Sequence, residues 1–198
     1  MIARHFQITV ALLLVGVLSA GVYMLKLREG EKGKSNPAAG DRPLTAPVTA
    51  AEENIKLMIA YDDDGVLSTK ETKIRLPEDP EERTREILRS LLAFYSENPS
   101  PHPLAAKADV RNVFIVEGGL CVVDLNAAFA DQHRSGILVE EFSIASMVET
   151  ISMNAPGVTR VKFLVEGAER ETLAGHADLG TIYEVAKIHD LVKELQPN

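Results

Sequence analysis

The sequence has no tryptophan and a single cysteine, Cys121, in 198 residues. One thiol cannot close an intrachain disulfide or build a cysteine zinc site. Cys121 reads as a small buried hydrophobe. A catalytic thiol would want a nearby histidine and an electropositive setting, and the sequence shows neither. Aromatic residues are scarce, at 5%, which argues against a stacking platform for sugars. Basic residues are outnumbered: residues 1–52 carry a net +2 and residues 53–198 a net −10. An acidic domain repels phosphate, so nucleic acid is a poor partner.

Charge is missing altogether from Ile8 to Leu25. As a helix these 18 residues would span about 27 Å, at ~1.5 Å per residue. A hydrocarbon core is ~30 Å thick. The segment therefore reads as a single transmembrane anchor, residues 8–25, after a short tail, residues 1–7. A cleaved signal peptide competes, with Ser19-Ala20-Gly21 as small residues for a peptidase. The apolar run continues to Leu25, however, beyond the ~7–15 residues usual for a secretory segment. No cysteine follows it, so a lipoprotein anchor is not expected. Basic residues flank both ends, so charge barely orients it. A short cytoplasmic tail and an exported domain are expected, at the cell membrane. Residues 26–52 are rich in Gly, Pro, Ala and charge. They read as a flexible linker, with too little apolar surface to offset ordering entropy.

From residue 53 the pattern is that of an α+β domain. Ile55, Leu57, Ile59 and Tyr61 alternate at strand period. Asp62-Asp63-Asp64-Gly65 makes a turn into a second strand, Val66–Leu76. The three aspartates are contiguous, and Lys73 stands where a calcium loop opening at Asp62 would need Glu. They read as a solvated turn. Asp79-Pro80-Glu81-Glu82 signals a helix start with a capping box. Ile87, Leu88, Leu91, Leu92 and Tyr95 then form a core stripe.

Val110–Val116 and Leu120–Leu125 predict a second hairpin around Glu117-Gly118-Gly119. Cys121, Val123 and Leu125 face the core. Asp124 is a polar candidate at the strand end, read as capping the turn that follows. Ile137–Met153 predicts the second main helix, with Ile137, Phe142, Ile144, Ala145, Val148 and Ile151 on its buried side. Glu140 and Glu141 lie where the dipole favours them. Adjacent residues do not face each other on a helix, so they make a poor acid–base pair. Val158–Glu166 predicts a strand with Val161, Phe163 and Val165 inward, and Arg170–Leu173 a short returning one. Thr181–Leu195 predicts a terminal helix. His176 and Asp178, two residues apart, form no metal or triad signature by themselves. They read as turn residues bonding backbone groups.

These segments resemble the GerMN domain family, named for a spore-germination protein. The resemblance is carried by Val123-Asp124-Leu125, Glu141, Val148 and Thr150, Pro156-Gly157, Val161–Val165, and Gly175-His176-Ala177-Asp178-Leu179. It covers most of residues 53–180, one copy of the domain, with residues 181–198 as an appended helix. The position before Thr150 is Glu149, where the family commonly has Asn. The resemblance implies a small mixed sheet of hairpin strands packed by two main helices. It also implies that Asp124, Glu141, Thr150, Gly175, His176 and Asp178 are structural motif positions, and that no reaction, cofactor or metal is involved.

The expected function is a non-enzymatic, membrane-tethered, extracytoplasmic module. It would help assemble an envelope, sporulation or germination complex through an envelope protein partner or self-association. The alternative is a module binding a cell-wall ligand. A hydrolase using His176, Asp178 and Glu141 is the weakest reading.

Overall fold

The computed structural model describes residues 52–197. The segment Ile8–Leu25 and the linker as far as residue 51 lie outside the described residues. Among the described residues no helix is long and apolar enough to cross a membrane.

The first hairpin forms as its alternation predicts. Strand β1 (Glu52–Tyr61) pairs antiparallel with β2 (Val66–Arg75), Tyr61 facing Val66. The connecting turn closes with the Gly65 N–H on Tyr61 O at 2.9 Å. Helix α1 (Pro80–Ser96) starts on Asp79, whose carboxylate accepts the N–H groups of Glu81 and Glu82. The capping box is incomplete: the Glu82 carboxylate turns instead to Arg85, one turn along. The stripe from Ile87 to Tyr95 is buried as expected.

Strands β3 (Val110–Val116) and β4 (Leu120–Leu125) form the second hairpin. Gly119 is needed in its turn. A Cβ there would lie 2.6 Å from Gly157 O, so this turn and the Pro156-Gly157 turn approach closer than any side chain permits. Helices α2 (Ala127–Asp131) and α3 (Ile137–Asn154) then carry the chain across to β5 (Arg160–Val165), which runs parallel to β4. Parallel neighbours need such a crossover. Strand β6 (Ile182–Glu184) pairs antiparallel with β5, and helix α4 (Val185–Glu194) ends the described chain.

The α+β class holds, but the strands divide between two sheets: the β1–β2 ribbon, and a four-stranded sheet in the order β3-β4-β5-β6. The free edge of β1 explains the division. Its outward N–H groups are taken by side chains where a third strand would pair. Lys56 N–H goes to Asn154 Oδ1 (3.1 Å), Met58 N–H to Thr150 Oγ1 (2.9 Å) and Ala60 N–H to Tyr95 OH (2.8 Å). Asp62 N–H goes to Pro101 O at 3.0 Å.

Three local expectations are corrected. Arg170–Leu173 is not a strand; only isolated bridges, Val165 with Ala168 and Thr172 with Asp178, form there. The partner of β5 is β6, inside the segment expected to begin the terminal helix. Tyr183 decides this: its ring packs against Phe163 at 5.8 Å and its hydroxyl donates to Asp178 O. Both contacts hold 182–184 extended, and the helix waits until Val185. Ile137, assigned to the buried side of α3, is 63% exposed, and the next residue, Leu138, is 47% exposed. Farther along, every residue from Phe142 to Ile151 is buried. Helix α3 is thus central and enclosed, not amphipathic.

Candidate functional site

An enclosed helix must satisfy its polar side chains internally. Glu140, Ser143, Ser146, Thr150 and Asn154 recur at three- and four-residue spacing, which puts them along one side of α3. Thr150 and Asn154 tie α3 to β1, Ser146 to Tyr95 of α1, Ser143 to His102 and His133, and Glu140 to the 174–177 loop.

Glu140 is fully buried. Its Oε2 accepts the N–H groups of Ala174, His176 and Ala177 at 2.9–3.0 Å, and its Oε1 faces His176 Nδ1 at 2.9 Å. Desolvation alone would raise its pKa. The His176 bond and the three backbone donors outweigh that and hold it at about 2. Gly175, at φ +120, supplies the backbone conformation between Ala174 and His176. The carboxylate thus fixes the Gly175-His176-Ala177 loop, which is also why 170–177 cannot form a ladder. Glu141, the glutamate placed in the family pattern, is exposed; the buried one is its neighbour.

His176 is also approached by Ser135 Oγ at 3.4 Å. Serine and glutamate meet the same nitrogen, Nδ1. A hydrolytic triad needs them on opposite ring nitrogens. Asp178 is engaged locally, its Oδ1 accepting Gly180 N–H at 2.8 Å.

Asp124 does not cap the turn after β4. Asn126 does, accepting Phe129 N–H at 3.0 Å. Asp124 instead accepts Gly167 N–H at 2.7 Å and Arg111 Nη1 at 3.1 Å. It holds the turn after β5 against β4. Thr150 sits at the far end of α3 from Glu140, on β1. The motif positions therefore occupy separate places: the 174–177 loop, the β4 end and the β1 edge.

The densest polar cluster was not anticipated. Asp62, read as part of a solvated turn, is nearly buried and lies 2.6 Å from His102 Nδ1. His102 and His133 both reach Ser143, and Arg134 pairs with the second Asp62 oxygen. Four segments far apart in sequence meet here, and no local pattern announces it. Cys121 is buried, and burial followed by the charge of Glu81 pushes its thiol up to about 12. That leaves it inert.

Two surfaces remain open. The outer face of the four-stranded sheet carries Phe114 opposite Val122, then Lys162, buried where its amine donates to the carbonyls of Leu179 and Gly180, then Ile182. Phe114, Val116 and Ile182 are exposed there. A cleft of about 420 Å³ lies where Pro80, Arg83, Ile115, Ala155, Pro156 and Val158 converge.

Comparison with known proteins gives this geometry a family. A solved lipoprotein candidate from Clostridium perfringens is 15% identical, with a TM-score of 0.48, over 75% of this chain and 95% of that one. The tandem GerMN domains of the Bacillus subtilis sporulation protein GerM are 19% identical, with a TM-score of 0.48, over 64% of this chain and 43% of theirs. The first of those domains alone is 19% identical, with a TM-score of 0.47, over 64% and 92%. No curated protein matches. The family model "Germane: Sporulation and spore germination" matches residues 57–171, more than half of the chain. The chain belongs to the Germane family, and its domain is GerMN-like.

Proposed function

We propose that this protein is a non-enzymatic, membrane-tethered module that joins an extracytoplasmic assembly of sporulation or germination. Family membership over residues 57–171 carries this reading. Two further observations support it. Of the groups a hydrolase would use, Glu141 is exposed and away from the 174–177 loop, the Asp178 carboxylate accepts Gly180 N–H, and the His176 ring faces the buried Glu140 carboxylate, which itself holds the N–H groups of Ala174, His176 and Ala177. The outer sheet face offers exposed Phe114, Val116 and Ile182 to an envelope protein or a second copy. The uncharged run Ile8–Leu25 supplies the tether, and residues 26–52 its reach.

A photocrosslinking residue at Phe114, tested in cells, checks this. The expected result is one reproducible protein adduct from position 114 and none from exposed Glu97, on a different element. Equal labelling from both positions would sink the surface assignment. A cytoplasmic reporter fused after Asn198 should be inactive; activity would overturn export. The runner-up, a cell-wall ligand module, has the 420 Å³ cleft in its favour, a volume within the range of small-ligand sites. Sedimentation with purified cell wall, abolished by Ala155→Trp, would favour it over assembly.

A further inference from the structure

Ser143 lies between two imidazoles. Its Oγ is 2.6 Å from His102 Nε2 and 2.7 Å from His133 Nε2. A hydroxyl has one hydrogen to donate. It can serve as donor to one ring only, and the other ring must donate to it.

The outer nitrogens settle what each ring has left. His133 Nδ1 is 2.7 Å from Arg134 O. A carbonyl only accepts, so this nitrogen carries a hydrogen. His102 Nδ1 is 2.6 Å from Asp62 Oδ1. Burial would raise the Asp62 pKa, but His102, through its bond and charge, and then Arg134 bring it below the ordinary range. Asp62 is therefore an acceptor, and His102 Nδ1 also carries a hydrogen. With both rings neutral, both Nε2 atoms would present lone pairs to one hydroxyl. One of the two short contacts would then be lone pair against lone pair. One more proton completes every bond.

We propose that the folded domain binds one extra proton in the chain Asp62–His102–Ser143–His133, and that this proton clamps the β1–β2 turn to the first half of α3. The geometry puts it on His102, as an imidazolium beside the Asp62 carboxylate. His133 then stays neutral and accepts from Ser143. Burial lowers the His133 pKa; the bond to Arg134 O and the charge of Glu140 oppose this, while His102 and Arg134 add to it. The groups facing the chain come from every neighbouring element. Asp62 comes from the hairpin turn, Tyr95 from α1 with its ring 4.7 Å from that of His102, Glu140 from α3, and Arg134 from the preceding loop. Phe129 of α2 covers His133 at 5.6 Å.

The consequence is a stability maximum near neutrality. In the unfolded chain both imidazoles titrate near ~6.5. Above that, the unfolded state has released both protons while the fold keeps one. The folding constant then falls about tenfold per pH unit until the fold releases its proton. Below it, the unfolded state binds two while the fold holds one, because His133 resists charging. The folding constant then falls as the pH falls. Stability falls in both directions: on the alkaline side toward release of the clamping proton, on the acid side because the unfolded chain takes up one proton more.

The test uses the full chain in detergent micelles, carrying His176→Gln and His189→Gln. Ring ¹⁵N shifts at pH 7.5 should show one imidazolium and one neutral Nδ1–H ring for His102 and His133. Two neutral or two charged rings would overturn the proposal. Urea unfolding of the same protein should show the alkaline decline of about tenfold per pH unit, and a flat profile between pH 7 and the release point would also overturn it. His133→Gln places a neutral amide donor on Ser143, so Ser143 can donate to His102 without an added proton. The alkaline decline should vanish in that variant, and its persistence would count against the shared proton. If the variant does not fold, the ring shifts decide.

Discussion

Thr150 Oγ1 accepts the N–H of Met58 at 2.9 Å, both residues buried and 92 positions apart in the chain. A helix side chain here stands in for a strand. With Asn154 and Tyr95 it closes the edge of β1 that would otherwise invite pairing with another chain. The polar residues of α3 are thus the fasteners of the fold.

Thr150→Val keeps the shape and removes the acceptor, leaving Met58 N–H buried without a partner. The expected loss is about 1–3 kcal/mol. Thr150→Ser should recover most of it. Urea denaturation of the two variants measures the difference; equal stability of Val and wild type would show that the edge bond is dispensable.

Glu140 predicts the acid limb of stability. Its folded pKa, about 2, lies below the ordinary 4.5. A depressed carboxyl contributes stability that is present above the unfolded value and lost as the pH falls toward the folded one. Glu140→Gln should therefore be less stable at neutral pH by about 1.5–3 kcal/mol, the range for bonds to a charged group. The gap should narrow between about pH 4.5 and pH 2. Amide exchange at Ala174, His176 and Ala177 should quicken in the variant at pH 7.

Asn126, not Asp124, caps α2, and mutation should separate the two residues. Asn126→Ala removes the cap of α2 and should cost about 1 kcal/mol. Asp124→Ala strands the Gly167 N–H and leaves Arg111 with Glu166 as its remaining partner, at about 1–3 kcal/mol. Exchange at Phe129 N–H should rise only in the first variant, and at Gly167 N–H only in the second.

Phe114 and Phe163 sit on opposite faces of the same sheet. Phe114→Ser should change stability by no more than about 0.5 kcal/mol while abolishing the proposed crosslink or association. Phe163→Ala should cost about 3–5 kcal/mol. A large stability loss from Phe114→Ser would mean that this face is not free.

Cys121 should resist thiol reagents in the native protein and react at once in urea, since it is buried and its thiol is pushed up to about 12. Prompt labelling under native conditions would reveal an opening of the β3–β4 hairpin.

Local physics made much of this domain legible from sequence. Alternation announced β1, β3 and β4. The Asp79-Pro80 pair announced the start of α1, and the stripe from Ile87 to Tyr95 announced its buried face. These features depend on residues within a few positions of each other. The helix pattern of Glu141, Val148 and Thr150 together with the Gly175–Leu179 run suggested the family, which the match over residues 57–171 shows, although that match stops short of the closing run. The proposed tether at Ile8–Leu25 rests on its hydropathy alone.

Tertiary structure decided the rest. An open edge on β5 and the ring of Phe163 turned 182–184 into a strand. Burial on all sides turned the serines of α3 into fasteners. Glu140 rather than Glu141 became the loop anchor because helix geometry aims only one of two neighbours at 174–177. The uncharged N-terminal run, the absence of tryptophan and the lone cysteine were properties of composition, readable without a fold. Which polar groups meet, and that Asp62, His102, Ser143 and His133 share one place, depended on contacts such as Asp62 with His102, His102 with Ser143 and Asp62 with Arg134, which lie 40, 41 and 72 positions apart, where local pattern carries no information.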